Sequence, residues 1–597
     1  MNEQGSLVNK KNIKCLVVQL GPLSDTIQSL MALRAAKQLY PNVDFSMVVR
    51  SQHSAAARRV DWLENVFTLP TEAIINQIVD SEKTIKEGMA DLGLWLSPVV
   101  GNGWDFLVNW TYSQASSYLS SLIPAQIKLG YVRENKQSLL CSDGWSCYIH
   151  AAVQSDIKQN IHLTDILTTQ LLTTFQIHLG EPEDNGEKAV TSKSFFVLDS
   201  GAVDSAWDYL YSSKKWICIH IRNEEKHKNW SSLEWSEFAS FLLRRHPEYN
   251  IVITGDEKEK NFSNECYQNL IRDLPECENR VLSLVGETDF DLWTSIVGKC
   301  AWLVSSDITA VQLASVLGTR ILHLAPGDVK YYEIGPYGNS HYVVTSNEKI
   351  RVEAAYAVWS YASSEWAHHG NKTIYEHFQQ LGYSGLISKT DVLRTKIRST
   401  QNGGGVFYER LIKEHYELSD LVANVIGQIA RGWYCGWIAP TGQEINREFI
   451  TPELIKEIRL MLESSLVLYR VTLEAVNVAT ELVDVSGRLK SDKIMSLNER
   501  DKIQSIGKKL IELDALIDRL AKAQPMLAIF AKMSQVLIHN LESEKLSSAA
   551  RDTAEVYRQM NEGVAVLREW LEHTIEISKP VIVQKRPLQL IEGQRKL

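Results

Sequence analysis

The 597-residue chain has no CxxC pair among its eight cysteines and no GxGxxG loop. It also has no run near the ~18 uninterrupted apolar residues of a membrane span. The longest apolar helix candidate, around 465–485, is broken by Arg470, Glu474 and Glu481. Lys10, Lys11 and Lys14 precede only the short run Cys15–Leu20, which stops at Gly21-Pro22, so the opening does not read as a secretory leader. Net positive charge is missing too. With 63 basic against 72 acidic residues the formal charge is −9, which argues against a nucleic-acid surface over the whole chain. The closest cysteines, Cys141 and Cys147, match no common zinc spacing, so the expectation is reduced thiols in a cytoplasmic protein. What remains is an ordinary globular composition, 44% hydrophobic and 23% charged, in a chain long enough for several domains.

The order of patterns predicts an α/β architecture of two tandem Rossmann-like domains followed by an all-α bundle. Ile13–Leu20 is a continuous apolar run, as in a strand buried on both faces. Residues 26–39 then repeat apolar positions at helical spacing, and Asp44–Val49 reads as the next strand. The same alternation returns at Asp105–Asn109 and Ser113–Leu122. It resumes with Trp216–Ile221, Leu233–Arg244, Asn250–Thr254, Phe290–Lys299, Trp302–Ser305, Ala310–Leu317 and Arg320–Leu324. The aperiodic EPEDNGEKAVTS at 181–192 suggests the linker, placing domains at 1–185 and 186–355 with a cleft between the carboxyl ends of their strands. Residues 356–450 read as mainly helical connecting structure. From Thr451-Pro452-Glu453, an N-cap followed by Pro at the first helical position, long apolar stripes predict a helical module over 451–580. Residues 581–597 read as a tail.

Four segments carry residues suited to chemistry. In VVQLGPLSDTIQSL, Gly21 allows a tight turn and Asp25 lies where loop becomes helix, either capping it or serving as a base. In ICIHIRNEEKHKNW, His220, Arg222, Lys226, His227 and Lys228 crowd a strand end, which suits a phosphate or a solvated charge cluster. In WLVSSDITAVQ, Asp307 precedes a helix whose first N–H groups suit an anion, and it either caps that helix or accepts bonds from sugar hydroxyls. Asp289-Phe290-Asp291 has the DxD spacing of a metal site, but it opens a helix and reads better as N-terminal capping.

Together these segments resemble the heptosyltransferase-like glycosyltransferases of family 9, which have the two-domain GT-B architecture. VVQLGPLSDTIQSLMALRAAKQLYP resembles that family's opening strand, glycine loop and LPALRALKxxYP helix. HKNWSSLEWSEFASFL resembles its KxWPxExWxxL segment. LVGETDFDLWTSIVGKCAWLVSSDITAVQLASVLGTRILHLAPGD resembles GxTSLxELAAL…ARLVVGNDTGxxHLAAALGTPVVALFG, and Gly335–Gly338 (GPYG) also fits. The likeness covers roughly residues 13–360 and leaves the later helices unassigned.

The resemblance implies inverting, metal-independent transfer from a nucleotide-sugar, ADP-heptose in the best-known members, with no other cofactor. It makes Asp25 the general base and Lys228 the phosphate-binding lysine, with His220 and Arg222 beside it. Asp307 becomes the donor-binding aspartate, and Thr309 and Ala310 offer backbone N–H groups to phosphate. Four positions depart from the pattern. Ser24 stands where the family has the glycine of its GD pair, Ile308-Thr309 replaces TG, and Gln312 replaces a histidine. Two readings follow. One is an active glycosyltransferase acting on a protein or glycan acceptor, with residues 451–580 serving a protein partner or a homo-oligomer. The other is a non-catalytic GT-B scaffold whose helices do the work.

Overall fold

The computed structural model describes residues 7, 10–71, 85–133, 139–155, 160–181, 196–198, 200–211, 214–221, 230–327, 329–364, 373–398, 405–412, 417–435, 450–488, 496–541 and 546–578. The sequence-predicted linker, apart from Glu181, and the tail at 581–597 lie outside them.

The first lobe contains β1 (Ile13–Gln19), α1 (Leu23–Leu39), β2 (Val43–Arg50), α2 (Ala55–Arg58), β3 (Leu63–Leu69), α3 (Ile85–Val100), β4 (Trp104–Asn109), α4 (Gln114–Leu122), β5 (Ala125–Arg133), β6 (Leu139–Cys141), α5 (Gly144–Ser155) and α6 (Leu163–Leu179). Its sheet runs β3-β2-β1-β4-β5-β6, parallel except for β6. β1 is central and buried at six of seven positions, which is why its sequence shows no alternation.

The second lobe has α7 (Ser200–Leu210), β7 (Lys215–His220), α8 (Ser232–Arg245), β8 (Tyr249–Thr254), α9 (Lys260–Asp273), β9 (Val281–Ser283), α10 (Phe290–Lys299), β10 (Trp302–Ser305), α11 (Ile308–Leu317), β11 (Arg320–Pro326), α12 (Tyr331–Ile334), β12 (Tyr342–Ser346), α13 (Val352–Ser363), α14 (Ile374–Gln380), β13 (Asp391–Arg398) and β14 (Gly405–Arg410). Its order is β14-β13-β12-β11-β10-β7-β8-β9. Both lobes therefore reverse winding beside their first strand, which opens a crevice at the carboxyl ends of β1 and β7.

The region 356–450, expected to be mainly helical, contains α14 and the helix Leu418–Cys435 and also supplies two strands that the sequence reading did not include. β13 and β14 pair antiparallel and extend the second sheet beyond β12. Their charges stabilise the pairing: Glu409 takes Arg394 at 2.6 Å and Lys396 at 2.7 Å across the strands. In the sequence the same charges break the apolar alternation, so DVLRTKIR and GVFYER do not look like a hairpin.

α15 (Leu418–Cys435), α16 (Pro452–Gly487), α17 (Leu497–Ala523), α18 (Ala528–His539) and α19 (Leu546–Ser578) follow. Thr451 caps α16 and the Ser496/Glu499 capping box starts α17, as their sequences predict. α16 buries Leu454, Ile458, Met461, Leu468, Ala475 and Val478, and it packs along α19. Each large side chain so buried contributes roughly 1.5–3 kcal/mol. The exposed pairs Lys509–Glu474 and Lys502–Glu481 contribute about 0–1 kcal/mol each, so the stripes hold the module together. α18 packs on α5 of the first lobe, and Asn540 donates 3.0 Å to the Cys141 carbonyl there. One apolar core thus runs from the first lobe through Leu303, Val311 and Leu313 of the second into α15–α19.

Candidate active site

The loop after β1 is pinned by its own backbone. Leu20 N–H donates to Thr111 Oγ1 at 2.6 Å, and Gly21 N–H to Gln19 Oε1 at 2.9 Å. α1 begins at Leu23, three residues before the start read from the sequence, with Pro22 at the cap position. Asp25 is therefore in the first turn and does not cap the helix. Its Oδ1 accepts from Ser24 Oγ at 3.2 Å, and its Oδ2 faces Gly21, where any Cβ would overlap it. Burial pushes the Asp25 pKa up, and the Ser24 hydroxyl opposes that rise. One turn on, Gln28 is fully buried with neither amide atom hydrogen-bonded among the described residues. Sequence reasoning missed it; its only signal is its place three residues after Asp25.

In the second lobe a buried polar row crosses four strands in register: Thr254, His220, Ser305 and His323. His220 Nδ1 lies 3.0 Å from Thr254 Oγ1, and the His220 ring lies against Trp293, centroids 4.9 Å apart. Ser305 Oγ donates to the His220 carbonyl at 2.9 Å and accepts from Asp307 N–H at 2.9 Å. Among the described residues His323 has no hydrogen-bond partner at either ring nitrogen. Burial holds its pKa down at about 4, against the pull of Asp307.

Asp307 caps α11: its Oδ1 accepts the Ala310 N–H at 2.7 Å. That N–H, expected to face a phosphate, is already engaged. Thr309 is half-buried in the first turn, where N–H groups precede any intrahelical acceptor. Gln312 is fully buried and its Nε2 donates to the carbonyls of Ile334 (2.5 Å) and Gly335 (2.8 Å). Arg222 and Lys228 lie outside the described residues.

α1 and α11 pack directly on one another across the lobes. The helix bearing Asp25 and the helix capped by Asp307 therefore share an interface, with His220 on the adjoining strand end. To one side a cavity of about 410 Å³ opens between residues 51–59 and Asp289-Phe290-Asp291. Asp289 caps α10, as the sequence predicts, accepting from Leu292 N–H at 2.8 Å. Asp291 is occupied across the cleft: Arg59 Nε donates to its Oδ1 at 2.7 Å, and the Arg59 Nη2 pairs with its Oδ2. Among the described residues no group of three or more His, Cys, Asp or Glu is placed to hold a metal.

Residues 98–356 match the family model of glycosyltransferase family 9 (heptosyltransferase). These residues are a glycosyltransferase family 9 domain. The family 9 domain takes in His220, Asp307, Thr309, Ala310 and Gln312 and begins after β3, so Asp25 stands outside the matched stretch. The chain is similar to E. coli heptosyltransferase WaaC solved with ADP, at 15% identity and a TM-score of 0.43, over 59% of this chain and 100% of that one. It is also similar to E. coli ADP-heptose lps heptosyltransferase II, at 13% identity and a TM-score of 0.42, over 59% and 98%. A third likeness is to a family 9 glycosyl transferase from Veillonella parvula, at 14% identity and a TM-score of 0.42, over 57% and 88%. No curated protein matches the sequence. The family 9 domain marks the chain as a glycosyltransferase.

Proposed function

We propose that the protein transfers a heptose-like sugar from a nucleotide diphosphate, ADP among the candidates, to a hydroxyl on a protein or glycan, with inversion and without a metal. Asp25 takes the proton of the acceptor hydroxyl as its oxygen bonds to the anomeric carbon. The bond from that carbon to the diphosphate breaks, and the nucleoside diphosphate leaves. Asp307 orients the donor, the start of α11 around Thr309 faces its phosphates, and Lys228 with Arg222 and His220 offsets the charge that develops on them. Ser24 and Gly21 shape the Asp25 loop, while Gln312 holds α11 in place. The observation that carries this reading is the desolvated Asp25 carboxylate on a helix packed directly against α11 of the family 9 domain. Among the described residues no helix is long and apolar enough to cross a membrane, which is compatible with cytoplasmic work on a soluble donor.

The test is a donor panel: purified protein with ADP-heptose, UDP-sugars and GDP-sugars, reading release of nucleoside diphosphate. Turnover with one donor class is expected, reduced about 10²–10⁴-fold by Asp25→Asn. Folded protein that neither binds nor turns over any donor abandons the reading.

A second reading has its own support. The Ala310 N–H and the Gln312 Nε2 are both spent on internal bonds, and α15–α19 are built onto the lobes. On that reading the chain is a non-catalytic GT-B scaffold meeting a protein partner or a second copy through residues 451–580. It requires the cellular phenotype to survive Asp25→Asn and to vanish when 451–597 are removed.

A further inference from the structure

The segment Gly335-Pro336-Tyr337 is gripped from three sides. From α11, Gln312 Nε2 donates to the Gly335 carbonyl at 2.8 Å, and Ser315 Oγ accepts the Tyr337 N–H at 3.0 Å. From the first lobe, His162 at the cap of α6 lies 3.0 Å by its Nε2 from the same Gly335 carbonyl. The His162 Nδ1 accepts from Thr164 N–H, so Nε2 carries the hydrogen and donates. Asp165, in the first turn of α6, accepts the Tyr337 hydroxyl at 2.8 Å on Oδ1 and the Val406 N–H at 3.0 Å on Oδ2. From the sheet edge, Tyr408 donates its hydroxyl to the Pro336 carbonyl at 3.0 Å. Two glycines make the fit: a Cβ on Gly405 would overlap the Asp165 carboxylate, and one on Gly335 would overlap the Tyr331 carbonyl.

We propose that His162 and Asp165 are positioning residues for transfer, holding α11 in register with the Asp25 helix through the Gly335–Tyr337 strap. This rests on the reading of α11 as the donor helix. Apolar packing alone is tolerant: a continuous core lets two lobes slide with little change in buried area. A buried polar network is not tolerant, because each small shift leaves a donor or acceptor unpaired. His162 is fully buried and Asp165 nearly so, and taking a carboxylate out of water is costly. What the network supplies is one allowed lobe orientation. α11 is a ten-residue helix, so fixing it at Gln312 and Ser315 also fixes Asp307 at its start.

The test uses the full chain with spin labels at Leu122→Cys on the first lobe and Leu233→Cys on the second, both exposed, while seven of the eight native cysteines are buried and the eighth is removed by Cys435→Ser. Tyr337→Phe keeps the ring and removes one bond. Ser315→Ala removes another without touching the first lobe. His162→Leu is compared with His162→Gln, which retains an N–H donor. The interlobe distance distribution is expected to broaden in Tyr337→Phe, Ser315→Ala and His162→Leu and to narrow again in His162→Gln. The kcat is expected to fall roughly fivefold to tenfold per lost bond, with donor KM nearly constant. An unbroadened distribution in these folded variants overturns the strap. Broadening with unchanged kcat in an active enzyme overturns its role in transfer. If the wild type transfers no sugar, the distance measurement still judges the strap, and the functional reading alone fails.

Discussion

Gly21 leaves the space that the Asp25 carboxylate occupies: a Cβ built on Gly21 would overlap Asp25 Oδ2 and crowd Gln19 Oε1. The glycine is needed for its lack of a side chain at close approach, since its backbone is not in the left-handed region. Gly21→Ala is expected to displace the carboxylate and lower kcat at least tenfold, with the thermal midpoint falling only slightly. A variant with full turnover would show that the Asp25 position does not matter.

Asp25 carries a stability cost that its removal should reveal. Burial raises its folded pKa above the unfolded value, so its contribution is favourable below the unfolded pKa and is lost as pH rises through the folded one. At neutral pH the charged form is therefore a burden. Asp25→Asn is expected to melt at or above the wild-type temperature at pH 7.5 while losing turnover. The wild-type kcat/KM should decline on acidification with an inflection above the ordinary carboxylate value near 3.9. Calorimetry beside a pH–rate profile checks both.

Arg59 and Asp291 join the lobes asymmetrically, since the arginine side chain is 43% exposed and the aspartate 8%. Asp291→Asn frees an arginine that can turn to water, at about 1 kcal/mol. Arg59→Met strands a buried carboxylate, at about 3 kcal/mol. Urea midpoints of the two single variants and the double variant should show this order, with the double variant close to Asp291→Asn. The reverse order would mean the pair is not closed in solution.

His323 is buried without a hydrogen-bond partner among the described residues, and its pKa is held down at about 4. A depressed base contributes stability above the unfolded value of about 6.5 and loses it as pH falls towards 4. His323→Met removes that loss. The variant is expected to gain on the wild type by up to about 1.4 kcal/mol per pH unit between pH 6.5 and 4, read from denaturant midpoints. Parallel pH dependences would place a proton on His323 in the fold.

Gly563 on α19 sits against the Trp433 and Phe530 rings of α15 and α18. Alanine improves helix propensity by about 1 kcal/mol, but an added methyl overlaps Trp433, and overpacking costs roughly 1–3 kcal/mol. Both rings are themselves packed, so the clash should win and Gly563→Ala should lower the denaturation midpoint. A raised midpoint would show that α15 can move away from the module.

Much of this protein was readable in one dimension because its signals are periodic. Continuous apolar runs marked the buried parallel strands, and stripes at helical spacing marked α16, α17 and α19. Capping residues at Thr451, Ser496, Asp289 and Asp307 marked helix starts, since each acts within three residues of itself. The hairpin β13–β14 was not readable, because Arg394, Lys396 and Glu409 find their meaning only when the strands lie side by side. Nor was the start of α1: Pro22 carries no side-chain cap, and only the packed helix shows that Asp25 is inside it. Gln312, striking out from the family pattern as a lost histidine, acquired a purpose once Gly335 stood beside it. Local chemistry set which segments become strands and helices. Which buried polar groups meet across the lobes, Arg59 with Asp291 and Asp165 with Tyr337, was decided only by folding, because those partners are separated by well over a hundred residues and no local pattern pairs them.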